Sequence, residues 1–268
     1  MVQNSTHPEA TWTQLMEAAE GGVVTDELLG QAGQVLQGMY TFGSWNIPHP
    51  SALMIAAARG NTDAVARILP FEEGNRNPVG WTALMFSAAL GHLECAKLLI
   101  REAGMCCNDG MTALLEAAQH GHADIVALLL EKEGDLVTTD IFPFGEGFTA
   151  LMMAAKAGHQ KSTELLIPTQ AGKAQPDGWT ALMWAAYDGR LECLKLLIPY
   201  EANRVLKGEN SEGWTALIVA ASEGHMDCVD ALVETELEAS KALLKELLEN
   251  GDCDLKLSQI EHLESLIQ

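Results

Sequence analysis

A chain of 268 residues with 37 acidic against 16 basic side chains carries a formal charge of −21. Such a surface repels phosphate backbones and anionic lipid headgroups, which disfavours nucleic acid and membrane surfaces as partners. No apolar run approaches the roughly 18 residues of a membrane span, and the polar residues 1–9 lack the basic-then-apolar pattern of a secretory signal.

From residue 13 onward one signature recurs seven times. A Thr, once a Ser, is followed two residues later by Leu, six later by Ala and nine later by Gly. The leading positions are Thr13, Ser51, Thr82, Thr112, Thr149, Thr180 and Thr215. Successive units are 38, 31, 30, 37, 31 and 35 residues apart, a period that means a stacked repeat architecture. The first unit, 12–29, is degenerate and reads as a cap. Residues 31–50 hold three Gly, two Pro and Trp45 and read as an ordered, irregular loop. Together 1–50 form an N-terminal cap and loop, followed by repeats over 51–234 and a C-terminal helical cap over 235–268.

The unit at 80–101 shows the logic. Gly80 follows a turn-prone segment, Thr82 is placed to cap a helix start, and 83–90 are good helix formers. Gly91 ends that helix as a left-handed residue. A second helix begins at His92, with Leu93, Ala96, Leu99 and Ile100 at helical spacing. In three units Pro70, Pro168 or Pro199 follows the second helix and is expected to stop it. Leu84 and Ala88 share one face of the first helix. The small Ala lets neighbouring helices approach while Leu fills the gap, so no unit buries its face alone.

The segments GWTALMFSAALGHLECAKLLI, GMTALLEAAQHGHADIVALLL, GFTALMMAAKAGHQKSTELLI, GWTALMWAAYDGRLECLKLLI and GWTALIVAASEGHMDCVDALV resemble the ankyrin repeat over roughly residues 10–234. The resemblance implies an all-α ankyrin-repeat solenoid of about seven helix-turn-helix units. The Thr-Ala-Leu-Met variant is similar to the ankyrin families expanded in Giardia-type diplomonads, the Protein 21.1 set and the arrays attached to NIMA-related kinases. Two departures stand out. Thr-Pro-Leu-His is replaced by Thr-Ala-Leu-Met or Thr-Ala-Leu-Leu, and the Gly-Ala-Asp-Val-Asn finger is missing, which predicts short fingers with little regular β-structure.

Extra residues fall at 137–147 and 201–213, in loops between units. After the last unit, 237–249 and 255–267 have helical apolar spacing with a turn signal at Asn250-Gly251. This pair either closes the stack or offers an interaction stripe.

Little in the chain reads as chemistry. Cys95, Cys193 and Cys228 lie 13 residues after their Thr, where other units place Ala64, Ile125 or Ser162. They read as small core positions with reduced thiols. His92, His122, His159 and His225 lie ten after their Thr, where Arg190 and Asn61 stand elsewhere. Stacked units are about a helix diameter apart, roughly 10 Å, too far for two His to share one metal at about 2 Å. Their expected role is structural. No kinase motif set, G-x-S-x-G elbow or P-loop occurs, so no cofactor and no enzyme activity are expected.

The resemblance places a binding groove beside the residue preceding each Thr and the residues after each Ala-Ala pair. Carried onto this chain, the candidate contacts are Trp81, Leu90, Gln119, His120, Phe148, Lys156, Trp179, Trp184, Tyr187, Asp188, Trp214 and Glu223. The aromatic edge row either seals the stack or anchors a partner. The expected function is a non-catalytic protein-interaction scaffold, with an acidic field favouring a basic partner. The alternative is an accessory subunit targeting a separate kinase. A monomer in the cytoplasm is expected, with cytoskeletal attachment implied only by the family.

Overall fold

The computed structural model describes residues 13–139, 145–207, 213–250 and 257–267. The sequence readings at 1–12 and 251–256, and parts of those at 137–147 and 201–213, lie outside these residues. The chain divides into two compact units, Met1–Ala117 with Asp124–Glu133, and Ala118–Ala123 with Gly134–Gln268.

The first unit holds α1 (Gln14–Gly21), the antiparallel hairpin β1 (Met39–Phe42) and β2 (Trp45–Pro48), α2 (Ala52–Arg59), α3 (Thr62–Glu72), α4 (Ala83–Leu90) and α5 (Leu93–Leu98). It also takes the start of α6 (Ala113–His120) and nearly all of α7 (Ala123–Glu133). The second holds α8 (Ala150–Ala157), α9 (Gln160–Gln170), α10 (Ala181–Tyr187), α11 (Leu191–Glu201), α12 (Ala216–Ser222), α13 (Met226–Asn250) and α14 (Leu257–Ile267). Within each, the first helix of a repeat packs on its own second helix and on the first helix of the next repeat. The series α1–α2–α4 and α8–α10–α12 forms these inner rows. The repeat-phased Leu and Ala fill the seams: Leu53, Ala57, Leu84, Ala88, Leu151, Ala155, Leu182, Ala186, Leu217 and Ala221 are all at most 1% exposed. Burying each such Leu contributes about 2 kcal/mol.

The Gly that ends each inner helix serves two purposes. Gly189 lies at φ 64°, and a Cβ there would meet the ring of His225 at 2.6 Å. Gly22 of the degenerate first unit departs from the pattern, with φ −94°. After Gly91, Gly158, Gly189 and Gly224 the next residue reaches back to the preceding repeat. His92 Nε2 lies 3.1 Å from the Ala58 carbonyl, His159 Nε2 2.9 Å from Gln119, and His225 Nε2 3.0 Å from Tyr187. Arg190 Nε donates to the Lys156 carbonyl in the same way at 3.0 Å. These three histidines have the structural role expected of them, and they exert it by joining one repeat to the next through their rings.

The start of each inner helix after α1 is held by a feature the sequence reading passed over. A buried side chain 20 or 21 residues after the leading Thr or Ser reaches back to the N–H of the repeat's Leu. Glu72, Glu102, Glu133, Glu201 and Glu236 accept from Leu53, Leu84, Leu114, Leu182 and Leu217 at 2.7–2.8 Å. The other carboxyl oxygen accepts a loop N–H, from Gly33, Gly74, Gly104, Gly172 and Asn203 respectively, at 2.8–3.0 Å. One buried group thereby satisfies a donor orphaned at a helix start and a second in the loop. Burial pushes the Glu102 and Glu133 acids upward. The side chains of Thr13, Thr149 and Thr180 add their own N-caps, whereas Ser51, Thr82 and Thr215 make none. Thr82 was expected to cap; the Glu102 carboxyl takes over the adjacent N–H.

Three further expectations are corrected. Pro70, Pro168 and Pro199 lie inside α3, α9 and α11. Proline removes only its own N–H, and bonds spanning it persist from Glu73 to Leu69, Ala171 to Ile167 and Ala202 to Ile198 at 3.0–3.2 Å. The segment 237–249 is not a separate helix. With neither Gly nor Pro between Met226 and Asn250, α13 runs unbroken from the last repeat. Finally, the loop at 31–50 contains the β1–β2 hairpin, whose Tyr40 and Ile47 are 2% and 0% exposed while the alternate Met39 is 50% exposed. Helix α14 packs on α13 within the second unit, with Leu263 fully buried and Gln259 Nε2 donating to the Gly224 carbonyl at 2.8 Å.

Cys95, Cys193 and Cys228 are each 1% exposed, whereas Cys106 is exposed. Burial raises all three thiols, that of Cys228 to about 11. Thiolate is the reactive form. Alkylation of the native chain at pH 8 therefore labels Cys106 within minutes and leaves these three unmodified until denaturant is added. Peptide mapping by mass spectrometry checks this.

Candidate binding surface

The fingers are built from one repeated turn. The residue before each Thr accepts, through its carbonyl, the N–H of an earlier finger residue: Asn77 to Trp81 (3.0 Å), Cys107 to Met111 (2.8 Å) and Gln175 to Trp179 (2.9 Å). The longer loops close with the same bond, Thr138 to Phe148 (3.1 Å) and Leu206 to Trp214 (2.9 Å). Gly80, Gly110, Gly147, Gly178 and Gly213 precede the accepting residue with φ between 78° and 95°, which a side chain rarely adopts.

In the second unit this turn and α10 bring six of the sequence-selected residues together. Trp179 and Trp184 lie 4.5 Å apart, and Tyr187 stands edge-on to both at 5.8 and 5.9 Å. Phe148 meets Trp184 at 5.2 Å. Lys156 of α8 places Nζ 4.7 Å above the Trp184 ring and 5.1 Å above Tyr187, and donates to Asp188 Oδ2 at 2.8 Å. Gln175, which the sequence reading missed, locks the arrangement. Its Oε1 accepts from Trp184 Nε1 at 2.9 Å, and its Nε2 donates to the Glu146 carbonyl at 3.1 Å.

Burial sorts the edge row. Phe148 is fully buried, so its ring supports Trp184 and is removed from the direct contacts; Met111 of the same row is likewise buried. Trp179 and Trp184 are half-buried and Tyr187 is 38% exposed. The remaining candidates do not join this cluster. Leu90 and Gln119 are half-buried at inner-helix ends, His120 and Glu223 are exposed, and Trp214 is half-buried. His120 sits 6.4 Å from the His122 ring, and partial burial of the imidazole, together with the His122 and His159 charges, lowers its pKa.

Trp81 belongs to a separate patch in the first unit. It contacts Phe86 at 4.8 Å and Trp45 of the hairpin at 6.0 Å. These rings, with Met39, Pro48, Val79, Asn46 and Asn77, line an open pocket of about 340 Å³. The hairpin's part in it was not legible from the sequence, although Trp45 was noticed. Among the described residues no group of three or more His, Cys, Asp or Glu is placed to hold a metal ion, and no helix is long and apolar enough to cross a membrane.

The family model for ankyrin repeats matches overlapping stretches 15–108, 53–140, 101–176, 134–205 and 151–243. No curated protein matches the chain. Among solved structures, the human ASB11 ankyrin repeat domain is similar at 22% identity, covering 69% of this chain and 83% of that one with a TM-score of 0.56. That likeness shows the fold. With the family model spanning most of the sequence, the chain belongs to the ankyrin-repeat family.

Proposed function

We propose that the protein is a non-catalytic scaffold that docks a protein partner on the Trp179–Trp184–Tyr187 surface of its second unit. Ankyrin repeats are in general protein-interaction modules. The observation that carries the reading is that Gln175 pins Trp184, Trp179 and Tyr187 pack against it, and all three rings are left only partly covered. Rings ordered in advance lose little entropy on binding, which is the character of interface hot spots. A stable interface needs about 800 Å² on each side. Lys156 and Asp188 beside the rings supply a polar rim.

The kinase-targeting form of this function rests on the Thr-Ala-Leu-Met resemblance to kinase-attached arrays, and identifying the captured partner decides it. The test is affinity capture from a cell extract with the chain and with a Trp179→Ala, Tyr187→Ala variant. The variant is expected to lose at least tenfold of the captured partner with unchanged circular dichroism and melting. Unchanged capture, or a collapse in melting temperature, overturns the assignment, the latter because the rings would then be scaffold.

A further inference from the structure

We propose that the Trp184–Tyr187–Asp188 corner is a receptor for a lysine side chain of a partner protein, with Lys156 occupying it in the unbound chain. This rests on the docking reading above and names the chemistry that the docked segment must carry.

The corner has the form of a cation site. The Trp184 and Tyr187 planes are inclined at 71°, and both lie within about 5 Å of one ammonium nitrogen. Aromatic faces carry partial negative charge and attract a cation placed above them. Asp188 Oδ2 closes a third side at 2.8 Å. An anion would meet two ring faces and a carboxylate, so the corner selects by sign. The open side faces solvent: the Lys156 and Asp188 side chains are 21% and 26% exposed.

Lys156 is suited to yield its place. Its backbone carbonyl is fixed by Arg190 Nε at 3.0 Å, while its ammonium is carried on a flexible four-carbon stem. An incoming lysine makes the same three contacts, so the exchange keeps every interaction of the corner. Glu223 occupies the place in its repeat that Asp188 occupies in the one before, eight residues after the leading Thr, and it is exposed. It supplies a second acid to a basic segment, and the charge of −21 favours the approach of such a segment.

The experiment uses a capped heptapeptide with one lysine among Gly and Ser, and a norleucine counterpart of equal length. Binding to the full chain is followed at 150 mM salt through the Trp184 indole N–H resonance. Lys156→Met, close to lysine in length, is expected to tighten lysine-peptide binding about tenfold, and the shorter, neutral Lys156→Gln to do the same. Lys195→Met, which removes an equal charge from an exposed pair with Glu192, is expected to change nothing. Adding Asp188→Asn to Lys156→Met should abolish the gain, and the norleucine peptide should not bind. Equal gains from the Lys156 and Lys195 variants, a gain that survives Asp188→Asn, or equal binding of norleucine each overturn the proposal. If these occur while Trp179→Ala, Tyr187→Ala still loses its partner, the docking reading stands and the lysine assignment alone falls.

Discussion

Glu201→Gln is expected to destabilise the fold by about 2 kcal/mol, the cost of one buried donor left without an acceptor, and the reverse exchange Gln170→Glu is expected to cost a similar amount. Glu201 is 1% exposed and accepts from both Leu182 and Gly172. A Gln there keeps one oxygen for Leu182 but turns an NH₂ group toward the Gly172 N–H. Donor then faces donor. The equivalent place in the preceding repeat is already Gln170, whose Oε1 accepts from Leu151 at 2.7 Å while Nε2 donates to the Gly134 carbonyl at 2.8 Å. There the loop offers an acceptor, so an amide fits and a carboxyl group would set oxygen against oxygen. Urea unfolding followed by circular dichroism gives the stability change, and hydrogen exchange at Gly172 and Leu182 locates it. A Glu201→Gln variant as stable as the parent, with both amides still protected, would remove these side chains from the account of how repeats are held.

The second large effect concerns Glu116. Its place, four residues after the leading Thr or Ser, is filled by Ile55, Phe86, Met153, Trp184 and Val219 in the other repeats from Ser51 onward. The side chain is 4% exposed, and burial pushes its pKa from the ordinary 4.5 up to about 8. The folded chain then holds a proton that the unfolded chain releases above pH 4.5. Stability from this group is complete below that value and declines as pH rises through about 8, by an amount on the order of 4 kcal/mol. Glu116→Gln cannot ionise. Its unfolding free energy is expected to match the parent near pH 4 and to exceed it by several kcal/mol, roughly that same amount, at pH 9. Parallel stability curves for the two proteins across this range would show that Glu116 ionises as readily folded as unfolded.

The contrast between these two acids and the rest of the chain explains what could be read in advance. The Thr, Leu, Ala and Gly positions were legible because each repeats the same residue under one steric demand: Leu182 and Ala186 in the seam, Gly189 beneath a neighbouring ring. The histidine role followed from Arg190 standing in for His. The acids at 72, 102, 133, 201 and 236 are equally periodic, but among 37 acids in the sequence that period does not stand out. Burial of a carboxyl group is decided by the loop N–H it meets, a contact no local pattern announces. The hairpin at 39–48 was missed for a related reason: its strands are four residues each, too short for alternation to stand out. In the candidate site, Trp179, Trp184, Tyr187, Lys156 and Asp188, named from the resemblance as partner contacts, lie together in the second unit. Phase could not separate Phe148, whose ring turns inward, from Trp179, whose ring does not.

The finger turns carry a consequence for how such a chain tolerates change. The carbonyl of Trp81 is reached from four residues back, that of Trp214 from eight and that of Phe148 from ten, yet the helices that follow begin in the same register. Lengthening a closed loop costs only about 0.6 kcal/mol per doubling. Foreign sequence spliced between Leu206 and Gly213, whose mutual bond pins the loop's two ends, can therefore vary in length and composition at small energetic cost. That junction is a natural graft point for a tag or an epitope.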